Sequence, residues 1–238
     1  MNLFDTHFHL DLQKNINAAI AEINANKIYT IAMTNLPVLY EKEIKRYASP
    51  YIRLALGFHP ELVGECKKYI PLMWENLNDA RYIGEVGLDF TDTRYRNDQI
   101  AFFSELIERC RNDKSKIVSI HSRKAEKDVI EILGDTFLFK PILHWYSGDV
   151  RLLNRAIKNG CYFSFNSKML RYRSAEQILA LVPQDRILLE TDSPFGDTKE
   201  AHSTTLEGTI CKLSKMRHIE REQMEEVLWR NFQTLLMP

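Results

Sequence analysis

Residues 3–11 read Leu3-Phe4-Asp5-Thr6-His7-Phe8-His9-Leu10-Asp11, and this stretch separates two architectures. An open doubly wound sheet of the nucleotide-binding kind places a glycine-rich phosphate loop directly after its first strand. Here the strand-like run Leu3–Phe8 leads into Thr6-His7-Phe8-His9, with no glycine at all. Imidazoles stand there instead. His7 and His9 are spaced i and i+2, so on a strand both side chains leave the same face. Each ring can offer one nitrogen to a metal while the other bonds a carbonyl or carboxylate. Asp5 and Asp11 flank the pair, as such acceptors or as turn residues.

Working outward, strand-like apolar runs recur at Tyr29–Met33, Ile52–Gly57, Tyr82–Val86, Lys116–Ile120, Pro141–Trp145, Cys161–Phe165 and Arg186–Glu190. Helical spacing of apolar residues lies between them. It is clearest over Gln99–Cys110, where Ile100, Phe103, Ile107 and Cys110 share a face, and recurs over Ala125–Leu133, Val150–Ile157 and Ala175–Val182. Thr205–Met216 and Arg221–Leu235 close the chain. Gly134, Gly160 and Pro183-Gln184-Asp185 punctuate these helices. Eight strands alternating with helices in 238 residues predict an α/β fold, a single-domain (β/α)8 TIM barrel over residues 1–238.

Composition narrows the function. The chain has 32 Lys+Arg against 32 Asp+Glu and is 45% hydrophobic. A well-packed globular domain is expected, and attraction of nucleic acid by bulk positive charge is not. No apolar run approaches the roughly 20 residues of a membrane helix, so no membrane partner is expected. Met1-Asn2-Leu3-Phe4-Asp5 lacks the basic and then apolar regions of a secretory signal. Cys66, Cys110, Cys161 and Cys211 form no CxxC pair. Four scattered thiols suit a reducing, cytoplasmic location.

Five of the seven histidines, His7, His9, His59, His121 and His144, fall at or just past the C-terminal end of a predicted strand. In a barrel those ends converge on the face where active sites are built. Glu85, in Tyr82-Ile83-Gly84-Glu85-Val86-Gly87-Leu88-Asp89, and Asp192, ending Leu188-Leu189-Glu190-Thr191-Asp192, place carboxylates inside apolar runs. That is costly unless they are paired or ligate a metal. Taken singly, each residue has an ordinary explanation: a satisfied core histidine, or a Glu–Arg pair. Taken together, His7, His9, His121, His144, Glu85 and Asp192 are too many ligands for one tetrahedral ion. They suit two divalent ions sharing a carboxylate, an arrangement that clamps attacking and leaving oxygens in hydrolysis.

Six ordered motifs carry a resemblance: Phe4-Asp5-Thr6-His7-Phe8-His9-Leu10-Asp11, Gly57-Phe58-His59-Pro60, Gly84-Glu85-Val86-Gly87-Leu88-Asp89, His121-Ser122-Arg123, His144-Trp145-Tyr146-Ser147-Gly148 and Glu190-Thr191-Asp192-Ser193-Pro194. Across roughly residues 1 to 235 the chain resembles the TatD-type metal-dependent deoxyribonucleases, barrels of the metallo-dependent hydrolase type. Thr34-Asn35-Leu36-Pro37, together with the segments around His121 and His144, looks most like the branch encoded in Qat anti-phage defence operons. The resemblance implies that His7, His9 and Asp192 hold one metal, that His121 and His144 hold the other, and that Glu85 bridges them. Glu85 and Asp192 would be catalytic, Asp192 by orienting or deprotonating the attacking water. His59 and Arg123 would contact a substrate phosphate. DNA or a nucleotide would be the substrate, and other proteins of a defence operon the partners.

Imidazole-rich ligation favours Zn or Mn, while the carboxylates keep Mg open. Trp145 and Tyr146 follow a ligand and would stack a nucleobase or pack the wall around His144. The chain departs from the family pattern at Phe8 and Trp145. It departs again after Pro194, where Phe195-Gly196-Asp197-Thr198-Lys199-Glu200-Ala201-His202 carries two acids in place of a basic loop. Arg94-Tyr95-Arg96 and Arg171-Tyr172-Arg173 are substitute cationic contacts or solvated loops. Two alternatives stand beside DNA hydrolysis: a metallohydrolase of an amide, lactone or cyclic-nucleotide bond, and a metal-stabilised assembly subunit of a defence complex.

Overall fold

Short apolar runs bounded by turns become strands when both faces of the sheet are covered, and all eight predicted runs do so. The computed structural model describes every residue except Met1, Lys45, Ala48, Thr198, Lys199 and Pro238. Its strands are β1 (Phe4–Phe8), β2 (Tyr29–Ala32), β3 (Ile52–Leu54), β4 (Tyr82–Asp89), β5 (Ile117–Arg123), β6 (Lys140–His144), β7 (Tyr162–Phe165) and β8 (Ile187–Leu189). They pair in parallel as β1-β2-β3 and β4-β5-β6-β7-β8.

Two irregular seams join these ladders into a closed barrel. At one, Leu56 N–H donates to the Tyr82 carbonyl (2.9 Å), Gly84 N–H to Leu56 (2.9 Å) and Phe58 N–H to Glu85 (3.0 Å). At the other, Asp192 N–H donates to the His7 carbonyl (2.9 Å) and His9 N–H to Ser193 (3.0 Å). The Thr6 hydroxyl donates to the Leu189 carbonyl there (3.0 Å). Phe4, Val86, Ile120, Leu143, Phe163 and Leu188 are buried in the core.

Among the described residues, ten α-helices surround the strands. Those at Arg96–Cys110, Glu126–Leu133, Val150–Lys158, Arg173–Leu181, His202–Arg217 and Arg221–Leu236 agree with the sequence reading to within a few residues. Ile16–Asn26, Pro37–Ile44, Pro60–Val63 and Ile70–Leu77 are additional. The first of these buries Ile23 alone, so it offers little periodic signal, although Asn15 caps it by accepting from Ala18 N–H. No described helix is long and apolar enough to cross a membrane.

At the N-terminal end of the barrel, the buried Lys116 ammonium donates to the carbonyls of Leu77 (2.7 Å), Asn78 (2.9 Å) and Ala80 (2.7 Å). These are orphan acceptors at the end of the Ile70–Leu77 helix. Phe4 stacks on Phe232 nearby, 4.4 Å between centroids.

Strand β4 runs beyond the predicted Val86 to Asp89, and β5 beyond Ile120 to Arg123. Gly87 and Asp89 interrupt the apolar run but stay in register opposite His121 and Arg123. Gly87 has φ +137°, and a Cβ there would lie 2.1 Å from the His121 carbonyl oxygen. A Cβ on Gly57 would meet the Thr34 carbonyl at 1.7 Å and Glu85 N at 2.6 Å. Only glycine allows these backbones to approach so closely beside Glu85 and His121.

Candidate metal centre

The C-terminal strand ends bring the six sequence-selected residues to one point. His7 and His9 rise from β1 with their Nε2 atoms 3.3 Å apart. Glu85 Oε2 lies 3.5 Å from His7 Nε2 and 3.3 Å from His9 Nε2. Asp192 Oδ1 is 3.6 Å from the former and 3.3 Å from the latter. The other Glu85 oxygen faces the opposite way. Oε1 is 2.7 Å from His121 Nδ1 and 3.0 Å from His144 Nε2. His7 and His144 stack between the two groups, 3.9 Å between centroids.

Asp192 has a left-handed backbone (φ 52°). Its carbonyl accepts from Phe195 N–H (2.7 Å) and Gly196 N–H (2.9 Å), which hold that conformation. His59 Nε2 is 3.6 Å from Glu85 Oε2, and its Nδ1 accepts from Glu61 N–H (3.3 Å) at the start of the Pro60–Val63 helix. Arg123, His59 and the base of the centre line one cavity of about 500 Å³.

Electrostatics inside the barrel are strongly coupled. Burial alone would raise the Glu85 carboxyl, but the imidazoles of His59, His144 and His7 and the bond to His121 hold it well below the usual range. His9 is pushed up to about 9, because its bonds to Asp192 and Glu85 outweigh burial. His144 rises for the same kind of reason, through Glu85 and Glu190, and His121 through Asp89 and Glu85. Burial, and then the neighbouring His144, lowers His7. Burial also brings His59 down to about 4.

Three buried partners orient the imidazoles, and the sequence reading gave none of them that role. The Ser119 hydroxyl is 2.8 Å from His7 Nδ1, and Asp89 Oδ2 is 2.9 Å from His121 Nε2. Glu190 Oε2 stands 3.6 Å from His144 Nδ1. Both Glu190 oxygens accept side-chain hydrogen bonds, from Ser164 Oγ and Asn166 Nδ2, so Glu190 faces the His144 ring as a fixed charge without hydrogen-bonding it. The β4–β5 register was the missing signal: it pairs Gly87 with His121 and Asp89 with Arg123, so Asp89 stands two positions along the ladder from the residue opposite His121, on the same face.

For several other residues the structure decides between the alternatives the sequence left open. Asp5 does not touch the centre's imidazoles. It accepts from His7 N–H, Thr191 N–H and the Thr191 hydroxyl, and it pairs with His202 Nε2 (2.8 Å). Tyr146 packs the wall: it is buried edge-on against Phe163 and donates to the Asp149 carbonyl. Arg94 is paired with Asp92 and Arg96 with Asp128, which removes the Arg94-Tyr95-Arg96 cations as ready contacts. Arg171 is paired with Asp197 of the acid-bearing loop. Thr198 and Lys199 of that loop lie outside the described residues.

The donor set fits a divalent cation. Around His7, His9, Glu85 and Asp192, nitrogens and oxygens sit 3.3–3.6 Å apart with lone pairs converging. The edges of a ligand tetrahedron with bonds of ~2.0–2.1 Å are about 3.4 Å. His9 Nδ1 and His144 Nδ1 are buried without a hydrogen-bond partner. His7, His9 and Glu85 form one metal-capable group, and His59, Glu85 and His121 another.

The sequence model of the TatD-related DNases matches residues 4–237. The chain belongs to this TatD family. Like its relatives, this TatD-family protein is a metal-dependent hydrolase. It is 27% identical over 191 residues to a metal-dependent hydrolase of Methanocaldococcus jannaschii, covering 76% of this chain and 74% of the other. It is 28% identical over 205 residues to a Vairimorpha ceranae protein named as a homolog of a TATDN1 deoxyribonuclease, covering 85% and 73%. The TatD barrel itself recurs in a TatD-family hydrolase from Entamoeba histolytica, with TM-score 0.77, 14% identity and coverage of 100% and 99%. At that identity the likeness concerns the fold alone.

Proposed function

We propose that the chain is a two-metal phosphodiesterase acting on DNA ends or short nucleotides. The observation that carries this reading is the divided orientation of Glu85, with Oε2 toward His7 and His9 and Oε1 toward His121 and His144. His7, His9 and Asp192 would hold one ion, His121 and His144 the second, with Glu85 between them. The bound ions supply Lewis acidity at a phosphoryl oxygen and make a water more acidic. Asp192 orients the attacking water and takes its proton. Arg123 forks onto the phosphate, and His59 donates to it from beside Glu85. Ser119, Asp89 and Glu190 keep the imidazoles turned inward. Nitrogen-rich ligation favours Zn or Mn over Mg.

Residues 1–238 act as one domain in this reading. The four free thiols suit a cytoplasmic setting. The motif resemblance around Thr34–Pro37, His121 and His144 supports a place in anti-phage defence beside other proteins of a Qat operon.

The test is hydrolysis of single- and double-stranded DNA after chelation and reconstitution with Mn or Zn. Turnover should require metal and fall about 10²–10⁴-fold in Asp192→Asn with the fold intact. Undiminished cleavage by metal-stripped Asp192→Asn would reject the reading. Cleavage of amide substrates alone would move the protein to another hydrolase chemistry.

A further inference from the structure

The cavity above the centre has two chemically different walls. His59, Glu61 and Arg123 form one, and Trp145, Tyr172 and Phe195, with Lys168, form the other. Among the described residues few large hydrophobic side chains are exposed, yet Tyr172 (56%) and Phe195 (53%) both stand on this second wall. Exposed aromatic surface gathered at the mouth of a polar cavity marks a binding surface.

The aromatic wall is fixed in place. The Phe195 carbonyl accepts from Lys168 Nζ (2.9 Å), and the Phe195 ring meets His9 edge-on at 5.3 Å. Lys168 Nζ also lies 5.5 Å from the centre of the Trp145 ring. Trp145 directly follows His144, in a left-handed conformation (φ 42°). The Tyr172 N–H donates to the Met169 carbonyl (3.1 Å), which ties that corner to the turn carrying Lys168. Two polar side chains at this wall are already engaged, since Ser147 Oγ donates to Glu126 (3.0 Å) and Lys168 to Phe195. What the wall presents is mostly aromatic ring surface. A flat heteroaromatic ring matches such a surface, and base–aromatic stacking is tolerant of base identity.

From this we infer that Trp145, Tyr172 and Phe195 form a stacking slot for the nucleobase attached to the phosphate held on the Arg123 side. The inference rests on the phosphodiesterase reading and makes these residues determinants of substrate specificity. A cavity of about 500 Å³ accommodates one nucleotide. Glu61 at the opposite rim opposes a second phosphate, so the slot takes the nucleotide at a chain end.

Calorimetric binding to the Mn-loaded protein tests the slot without turnover. Deoxyadenosine 5′-monophosphate should bind roughly 5- to 100-fold more tightly than deoxyribose 5-phosphate, from the usual strength of one base stack. That ratio should collapse toward one in Tyr172→Ala/Phe195→Ala and be largely restored by Tyr172→Phe/Phe195→Tyr. Equal affinities in the native protein, or an unchanged ratio in the double alanine variant, would overturn the slot. A loss of base discrimination that tracks a lowered melting temperature, with no recovery in the Phe/Tyr variant, would also overturn it. Base discrimination without any DNA hydrolysis would break only the phosphodiesterase reading, whereas hydrolysis with equal affinities would break only the slot.

Discussion

The two sides of Glu85 are built from the same residue types and end in different states. On the deep side, His7 and His9 are buried, and their nitrogens keep 3.3–3.6 Å from the carboxylate oxygens. On the outer side, the His121 side chain is 15% exposed and has closed onto Glu85 at 2.7 Å, while His144 lies at 3.0 Å. Rigidity accounts for the difference. The deep group is locked by the β8–β1 seam, by Ser119 and by the Asp5 bonds, so its donors stay spread at ligand-like separations. The outer group has Asp89 pulling on one edge of His121 and Glu85 on the other, and it settles as a hydrogen-bonded chain. The deep side holds its donors at ligand-like separations, and the outer side holds them as a hydrogen-bonded chain.

The largest expected effect comes from the residue both sides share. Glu85→Gln should lose hydrolysis by about 10³-fold or more, above the ~10- to 100-fold cost of losing a partner behind a ligand, because this carboxylate serves both ions. It should also lower metal content on both sides, measured by elemental analysis of the dialysed protein. Loss from one side alone would break the shared role.

A smaller effect should separate the halves. Asp89→Asn removes the carboxylate behind His121, so metal should be held some 10- to 100-fold more weakly on the outer side. Tight binding by the deep side should persist, and competitive titration with a chromophoric chelator would show one affinity changing. Parallel weakening of both would mean that the two sides are not independent. The smallest expected effect lies at the opposite end of the barrel. Lys116→Met leaves the carbonyls of Leu77, Asn78 and Ala80, two of them buried, without this donor. It should cost about 1–3 kcal/mol of stability by denaturant unfolding, with metal content unchanged. A change in metal content would show the centre to be coupled to the barrel floor.

The strands were legible because barrel strands are short apolar runs, and the centre was legible because imidazoles and carboxylates in such runs need a reason. What escaped the sequence was lateral. Asp89 lay three residues past the predicted end of β4, and only the β4–β5 ladder, which pairs it with Arg123, brings its carboxylate diagonally onto the His121 ring. Tyr146 and Trp145 are neighbours in sequence, yet the left-handed turn at Trp145 sends one to the core and leaves the other lining the cavity. The helices at 37–44 and 60–63 are announced mainly by Pro37 and Pro60 at their starts, because so few turns offer little periodicity.

The seam at β8–β1 has a bearing on biosynthesis. The bonds from Thr191 and His202 to Asp5 span 186 and 197 residues, and Asp192 faces histidines synthesised long before it. A chain still on the ribosome owns His7, His9, Glu85 and Ser119 before it owns Thr191, Asp192 and His202, which close the seam around them. The deep side is thus completed late, and an incompletely translated fragment that stops short of Asp192 carries His7, His9 and Glu85 without the carboxylate that faces both imidazoles.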